Sequence, residues 1–109
     1  MKAIRKKPGC EPEVIDIENT LKAFQAEVDG HIEVVTISSN AVIICNEEGR
    51  LLGLPHNCRL AGMEFVGTIF LVGYAGDTFC DVPEEVFLMK EVRTSERQGE
   101  RALPDDDDT

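Results

Sequence analysis

The chain has no tryptophan, one tyrosine and only two histidines. Few of the usual catalytic bases, the histidines, are therefore available, and few aromatic side chains as stacking platforms for nucleobases. No apolar run approaches the about 18 residues of a transmembrane helix. The phosphate-cradling patterns GxxxxGK[ST] and GxGxxG are absent, as are CxxC and any repeat of fixed period. Positive charge is also scarce: 11 Lys and Arg stand against 21 Asp and Glu, a net charge of −10. Such a chain repels nucleic acid and anionic membrane surfaces, so neither is expected as a partner. What remains is ordinary globular composition over 109 residues, 42% hydrophobic and 29% charged, enough for one domain.

The charge is unevenly spread. Asp105, Asp106, Asp107 and Asp108 form a terminal acidic run, whereas Lys2, Arg5, Lys6 and Lys7 make the start basic. From Arg93 onward apolar residues nearly vanish, so residues 1–93 read as one domain and 94–109 as a disordered acidic tail. A nucleic-acid mimic would carry carboxylates at regular spacing along one surface; here they are scattered among turns and the tail. The cysteines are Cys10, Cys45, Cys58 and Cys80. No apolar segment precedes Pro8-Gly9-Cys10, so no signal peptide or lipoprotein signal is expected. Reduced, mostly buried thiols in a cytoplasmic protein are the expectation.

Residues 2–7 alternate weakly and read as an exposed edge strand kept soluble by its lysines. Pro8-Gly9 turns the chain, and Val14, Ile15 and Ile17 return it as a hairpin. Asn19 or Thr20 can cap a helix that buries Leu21, Phe24 and Val28 and ends at Gly30. Residues 31–37 are rich in β-branched side chains. After the Ser38-Ser39-Asn40 turn, residues 41–45 are wholly apolar, as in a strand buried on both faces. Asn46-Glu47-Glu48-Gly49 is a tight turn, and residues 50–52 read as a third strand of the meander. Residues 53–62 read as an irregular loop. Residues 65–74 form the most hydrophobic strand, with Gly67 and Gly73 near its ends. Ala75-Gly76-Asp77 turns it into a short strand over 78–80, and a second helix follows from Pro83, docked by Val86, Phe87 and Met89. The fold class is α+β, with a mainly antiparallel sheet and two short helices in the order ββα-βββ-ββ-α.

Candidate chemistry is sparse. His56, Cys58, Cys45 and Cys80 have no metal-site spacing, so no metal or cofactor is expected. Cys58 with His56 and Arg59 nearby would be the nucleophile of a small Cys/His enzyme, although no orienting group or oxyanion hole is legible. Glu47-Glu48 and Glu84-Glu85 occupy a turn and a first helical turn, where acidic residues belong structurally. The loop over 53–62 is long for so compact a chain, and long loops carry function. Together with the preceding turn it offers Asn46, Glu47, Pro55, His56, Asn57 and Arg59 as the ligand-binding set.

Three segments carry a resemblance. They are the opening Met1-Lys2-Ala3-Ile4-Arg5-Lys6-Lys7-Pro8-Gly9 followed by Glu13-Val14-Ile15-Asp16-Ile17-Glu18-Asn19-Thr20-Leu21, the stretch from Ala41 through Asn46-Glu47-Glu48-Gly49 to Gly53-Leu54-Pro55-His56-Asn57, and Val66-Gly67-Thr68-Ile69-Phe70-Leu71-Val72-Gly73. They resemble the domain of unknown function 3846 family of small proteins over about residues 1–90. The resemblance implies a setting in gut bacteria, their phages and mobile elements, and no reaction or catalytic residues. The expected function is a non-enzymatic binding module for a protein or small-molecule partner, acting as a monomer or weak dimer. The alternatives are an anti-defence protein, through sequestration or DNA mimicry, and the Cys/His enzyme.

Overall fold

The computed structural model describes residues 1–84. Its elements are β1 (Lys2–Lys6), β2 (Glu13–Asp16), α1 (Leu21–Val28), β3 (Ile32–Ser38), β4 (Ala41–Asn46), β5 (His56–Leu60), β6 (Met63–Val66), β7 (Ile69–Ala75) and β8 (Thr78–Cys80). The main sheet has the order β2-β1-β7-β4-β3, with every neighbour antiparallel, and β8 also pairs with β7. β1 and β8 lie end to end along one side of β7: β1 takes Ile69, Phe70 and Leu71, and β8 takes Gly73, Tyr74 and Ala75. The junction is pinned where the Val82 N–H donates to the Lys2 carbonyl and the Lys2 N–H to Asp81 Oδ1. A Cβ on Gly73 would collide with the Asp81 carbonyl, so this glycine permits the close approach of two backbones.

The all-apolar strand is the architectural centre. Every residue of β4 is buried, and its side chains divide by parity. Ala41, Ile43 and Cys45 join Ile4, Ile69 and Leu71 on one face; Val42 and Ile44 join Ala3, Phe70 and Val72 on the other. α1 covers the second face through Phe24 and Val28, with the Phe24 ring edge-on to Phe70 and Phe79 at 5.6 and 5.9 Å. A separate hairpin, β5–β6, covers the first face through Cys58, Leu60 and Phe65. The described residues thus form three layers: helix, sheet, hairpin.

Several expectations hold. β1–β2 is a hairpin, Thr20 caps α1 by accepting from the Ala23 N–H at 3.1 Å, and β3–β4 is a hairpin across residues 39–40. Others are corrected. β1 is an interior strand between β2 and β7, not an edge; Ala3, Ile4 and Lys6 are buried, and Lys6 Nζ lies 3.3 Å from the Lys7 carbonyl. Lysine content suggests exposure, but the Lys6 side chain is buried, with only its amine needing a polar partner. Leu21 is exposed rather than buried. The left-handed residue ending α1 is Asp29 (φ 62°), and Gly30 serves instead to admit the Asn46 side chain, which would lie 2.7 Å from a Cβ there. Residues 50–52 are turn, not strand. The expected irregular loop over 53–62 contains β5, and the long strand over 65–74 is two strands broken at Gly67 (φ 73°). One helix is present among the described residues, and the second helix and acidic tail fall outside them.

The β5–β6 turn is tight: Leu60 pairs with Met63, leaving two residues between, Ala61 at φ 51° and Gly62 at φ 77°. Two positive φ values match the twist of the flanking strands, but alanine bears a steric penalty of about 1 kcal/mol there. Ala61→Asn, which tolerates this conformation, is expected to raise the unfolding free energy by about 0.5–1 kcal/mol in urea denaturation.

Candidate functional site

Between the sheet and the covering hairpin, on the β3 side, lies an open groove of about 1020 Å³. Glu33, Val35 and Cys45 come from the sheet, residues 46–51 from the turn after β4, and residues 63–66 from β6. Its floor is apolar: Val35, Cys45 and Phe65 belong to or pack on the core beneath the hairpin. Its rim carries Glu33, Glu47, Glu48 and Glu64 against one basic residue, Arg50. The Arg50 guanidinium donates to the Glu64 carbonyl at 2.8 Å, which ties the turn to β6. Leu51, 82% exposed, and the more sheltered Met63 add apolar surface at the margin.

Asn46 and Glu47 of the expected binding set line this groove; Pro55, His56, Asn57 and Arg59 do not. The Asn46 amide is committed to structure. Its Nδ2 donates to the carbonyls of Val28 and Asp29 at 3.0 and 3.3 Å, and its Oδ1 accepts from the Glu48 N–H at 2.7 Å. One buried side chain thereby closes the C-terminus of α1, whose last carbonyls lack helical partners, and fixes the turn that bears Glu47 and Glu48.

Asn57 sits at a bulge. The β5–β6 register shifts between His56 and Cys58, which turns both Asn57 and Cys58 inward. The Asn57 Nδ2 donates to the carbonyls of Lys6 at 2.8 Å and Gly67 at 2.6 Å, stitching the hairpin to β1 and to the break before β7. His56 and Arg59 face outward, 62% and 66% exposed, and flank Glu64 at 3.8 and 3.6 Å. Exposed pairs of this kind contribute little stability. Glu33, Glu48, Met63 and Glu64 line the groove and are absent from the set expected from the sequence; for Met63 and Glu64 the whole strand was missed. The available signal was the alternation of Met63, Glu64, Phe65 and Val66 directly after Ala61-Gly62.

The thiols divide sharply. Cys45 and Cys58 are buried; Cys10 and Cys80 are exposed. The expectation of mostly buried thiols therefore holds for Cys45 and Cys58 and fails for Cys10 and Cys80. Burial pushes the Cys45 thiol up to about 11, and the Glu33 carboxylate adds to the shift. A thiol held neutral in this way is a poor nucleophile at neutral pH. Cys58 lies in the core while the His56 ring lies in solvent beside Glu64, so the two occupy opposite environments. Among the described residues no group of three or more His, Cys, Asp or Glu is placed to hold a metal, and no helix is long and apolar enough to cross a membrane.

Two outcomes follow from these contacts. Asn57→Ala removes two buried hydrogen bonds between the hairpin and the sheet, so it is expected to lower the unfolding free energy by about 2 kcal/mol or more, and Arg59→Ala by less than about 0.5 kcal/mol, in denaturant titrations. In a thiol-alkylation time course on the folded protein, Cys10 and Cys80 are expected to react promptly. Cys45 and Cys58 are expected to react only after denaturant is added, with peptide mass mapping as the readout.

No curated protein and no solved structure is significantly similar to this chain. A family model does match, over residues 1–96, nearly the whole sequence and all of the described fold. The match takes in the sheet, both of its covers and the groove between them, and on that extent the chain belongs to the family described as a domain of unknown function, DUF3846.

Proposed function

We propose that this protein is a binding module without covalent catalysis, and that its recognition surface is the groove between β3, the turn over 46–51 and β6. One observation carries the reading: an open concavity of about 1020 Å³ combines an apolar floor with four rim carboxylates. Apolar floors supply affinity and placed polar groups supply orientation. The thiol placement supports the non-enzymatic form of the reading. The best candidate nucleophile, Cys58, is buried in the core, and Cys45 on the groove floor is held neutral.

The binding set read from the sequence shifts accordingly. Glu47 stays in it, Glu33, Glu48 and Glu64 join it, and His56 and Arg59 act at its margin by orienting Glu64. Asn46 and Asn57 act as the scaffold. The four cysteines are free, which supports a reducing, cytoplasmic setting. A solvent-open groove lined by β3, a turn and β6 favours a protein segment over an enclosed small molecule, and blocking a partner protein is a use that such a groove serves.

Glu47 and Glu64 are exposed, so Glu47→Lys/Glu64→Lys is expected to preserve the melting temperature within about 3 °C. Affinity capture with the tagged full-length protein, quantified by mass spectrometry, is expected to retain a partner at fixed stoichiometry with wild type and at least tenfold less with the double variant. Equal retention by both proteins, or none by either, overturns the reading.

A further inference from the structure

We infer that the groove takes an extended, basic segment of a partner protein, which adds to the main sheet as a sixth lane along the outer edge of β3. The inference rests on the binding-module reading and names the partner's chemistry.

β3 ends the sheet: among the described residues it pairs with β4 alone. The phase of its ladder follows from one contact. The His31 carbonyl accepts from the Glu47 N–H at 2.9 Å, and the same register places Glu33 opposite Cys45 and Val35 opposite Ile43. In an antiparallel pair, hydrogen-bonded and non-hydrogen-bonded positions alternate, and the N–H and C=O of one residue point the same way. Glu33 and Val35 therefore turn their backbone groups toward β4, while Ile32, Val34 and Thr36 turn theirs outward. Edge strands are commonly blunted by lysine, proline or brevity. β3 is seven residues long and contains neither lysine nor proline.

Side-chain parity supplies the chemistry. Glu33 and Val35 face the groove; Val34, on the opposite face, is an exposed apolar residue. A strand laid beside β3 would present alternate side chains to the two faces. On the groove face it would meet Glu33, with Glu47, Glu48 and Glu64 close by and one arginine already engaged by a carbonyl. On the other face it would lie beside Val34. The matching sequence alternates Lys or Arg with β-branched apolar residues. A second copy of this chain fits poorly. Pairing β3 with itself about a two-fold axis brings two carboxylate rims to one seam, in a protein of net charge −10.

The test uses the full-length protein and a capped heptapeptide, Lys-Val-Arg-Val-Lys-Val-Arg, with a Glu-for-Lys/Arg counterpart. Binding is read by fluorescence anisotropy, and hydrogen exchange is read at individual amides. The expected results are saturable binding of the basic peptide only, at least tenfold weaker for Glu47→Lys/Glu64→Lys, with slowed exchange at Val34 and Thr36. N-methylation of alternate peptide residues in one phase is expected to abolish binding, and in the other phase to leave it within about threefold, because only one set of N–H groups faces β3. Val34→Pro removes an outward donor that the β3–β4 ladder does not use, and is expected to lose the peptide while the protein stays folded. Should that variant unfold, the two N-methylated peptides carry the same question on the wild-type protein. Equal sensitivity to both methylation phases, or binding of the acidic peptide, overturns the inference. Protection of Val34 and Thr36 in a peptide-free dimer overturns it in favour of self-association. If the peptide fails while partner capture still depends on Glu47 and Glu64, the strand-addition inference falls and the groove reading stands; if both fail, both fall.

Discussion

The pairing of β4 with β7 at the centre of the sheet is the constraint on which the rest depends. Both strands are apolar on both faces, so neither face can be left to water. A two-sided apolar sheet needs two covers, and so small a chain has little material for them. One cover is the eight-residue helix α1 and the other is the β5–β6 hairpin. Neither would be stable alone: a helix of that length is marginal in water, and so is an isolated hairpin. Each is held by the face that it buries.

Two asparagines secure those covers, by the same logic. Asn46 reaches from the end of β4 to the last carbonyls of α1; Asn57 reaches from the hairpin to carbonyls of Lys6 and Gly67. Both are buried, and both direct their amide donors to backbone carbonyls of a neighbouring element. Their value is positional as much as energetic. They set where the turn over 46–51 and the hairpin sit relative to the sheet, and the groove is the space between those two elements. Among the described residues, the hairpin shields the middle of the sheet and leaves the β3 side open, where the exposed glutamates gather, and the candidate site is a consequence of that partial coverage.

The sequence was a good guide wherever a local rule sufficed. The capping threonine, the two-faced apolar strand and the hairpins around Pro8-Gly9 and Ser38-Ser39-Asn40 all rest on nearest-neighbour physics. The β5–β6 hairpin escaped for two local reasons. Its turn is Ala61-Gly62, without the asparagine or aspartate that usually marks two positive φ values. Its first strand carries a bulge at Asn57, which breaks the two-residue period by which strands are recognised. The error had a functional consequence. Asn57 was read as a ligand contact because polar residues in a loop face water, whereas a polar residue at an inward-turned bulge has to find partners within the protein. Glu64 was overlooked because it lies on the hairpin's second strand. Glu47 was legible because its turn is local.

Periodicity, composition and turn chemistry by themselves established an acidic α+β domain with a mainly antiparallel sheet, a strand buried on both faces and no legible catalytic motif. These properties depend on residues a few positions apart, so they can be read along the chain. Tertiary structure alone decided that the basic first strand lies inside the sheet, that β3 ends it among the described residues, and that glutamates from β3, a turn and β6 share one groove. Those outcomes depend on which strands pair across long sequence separations. Side-chain alternation within a strand states which residues share a face, but not which strand lies alongside or what covers that face. That choice is made by burying every apolar face of the molecule at once.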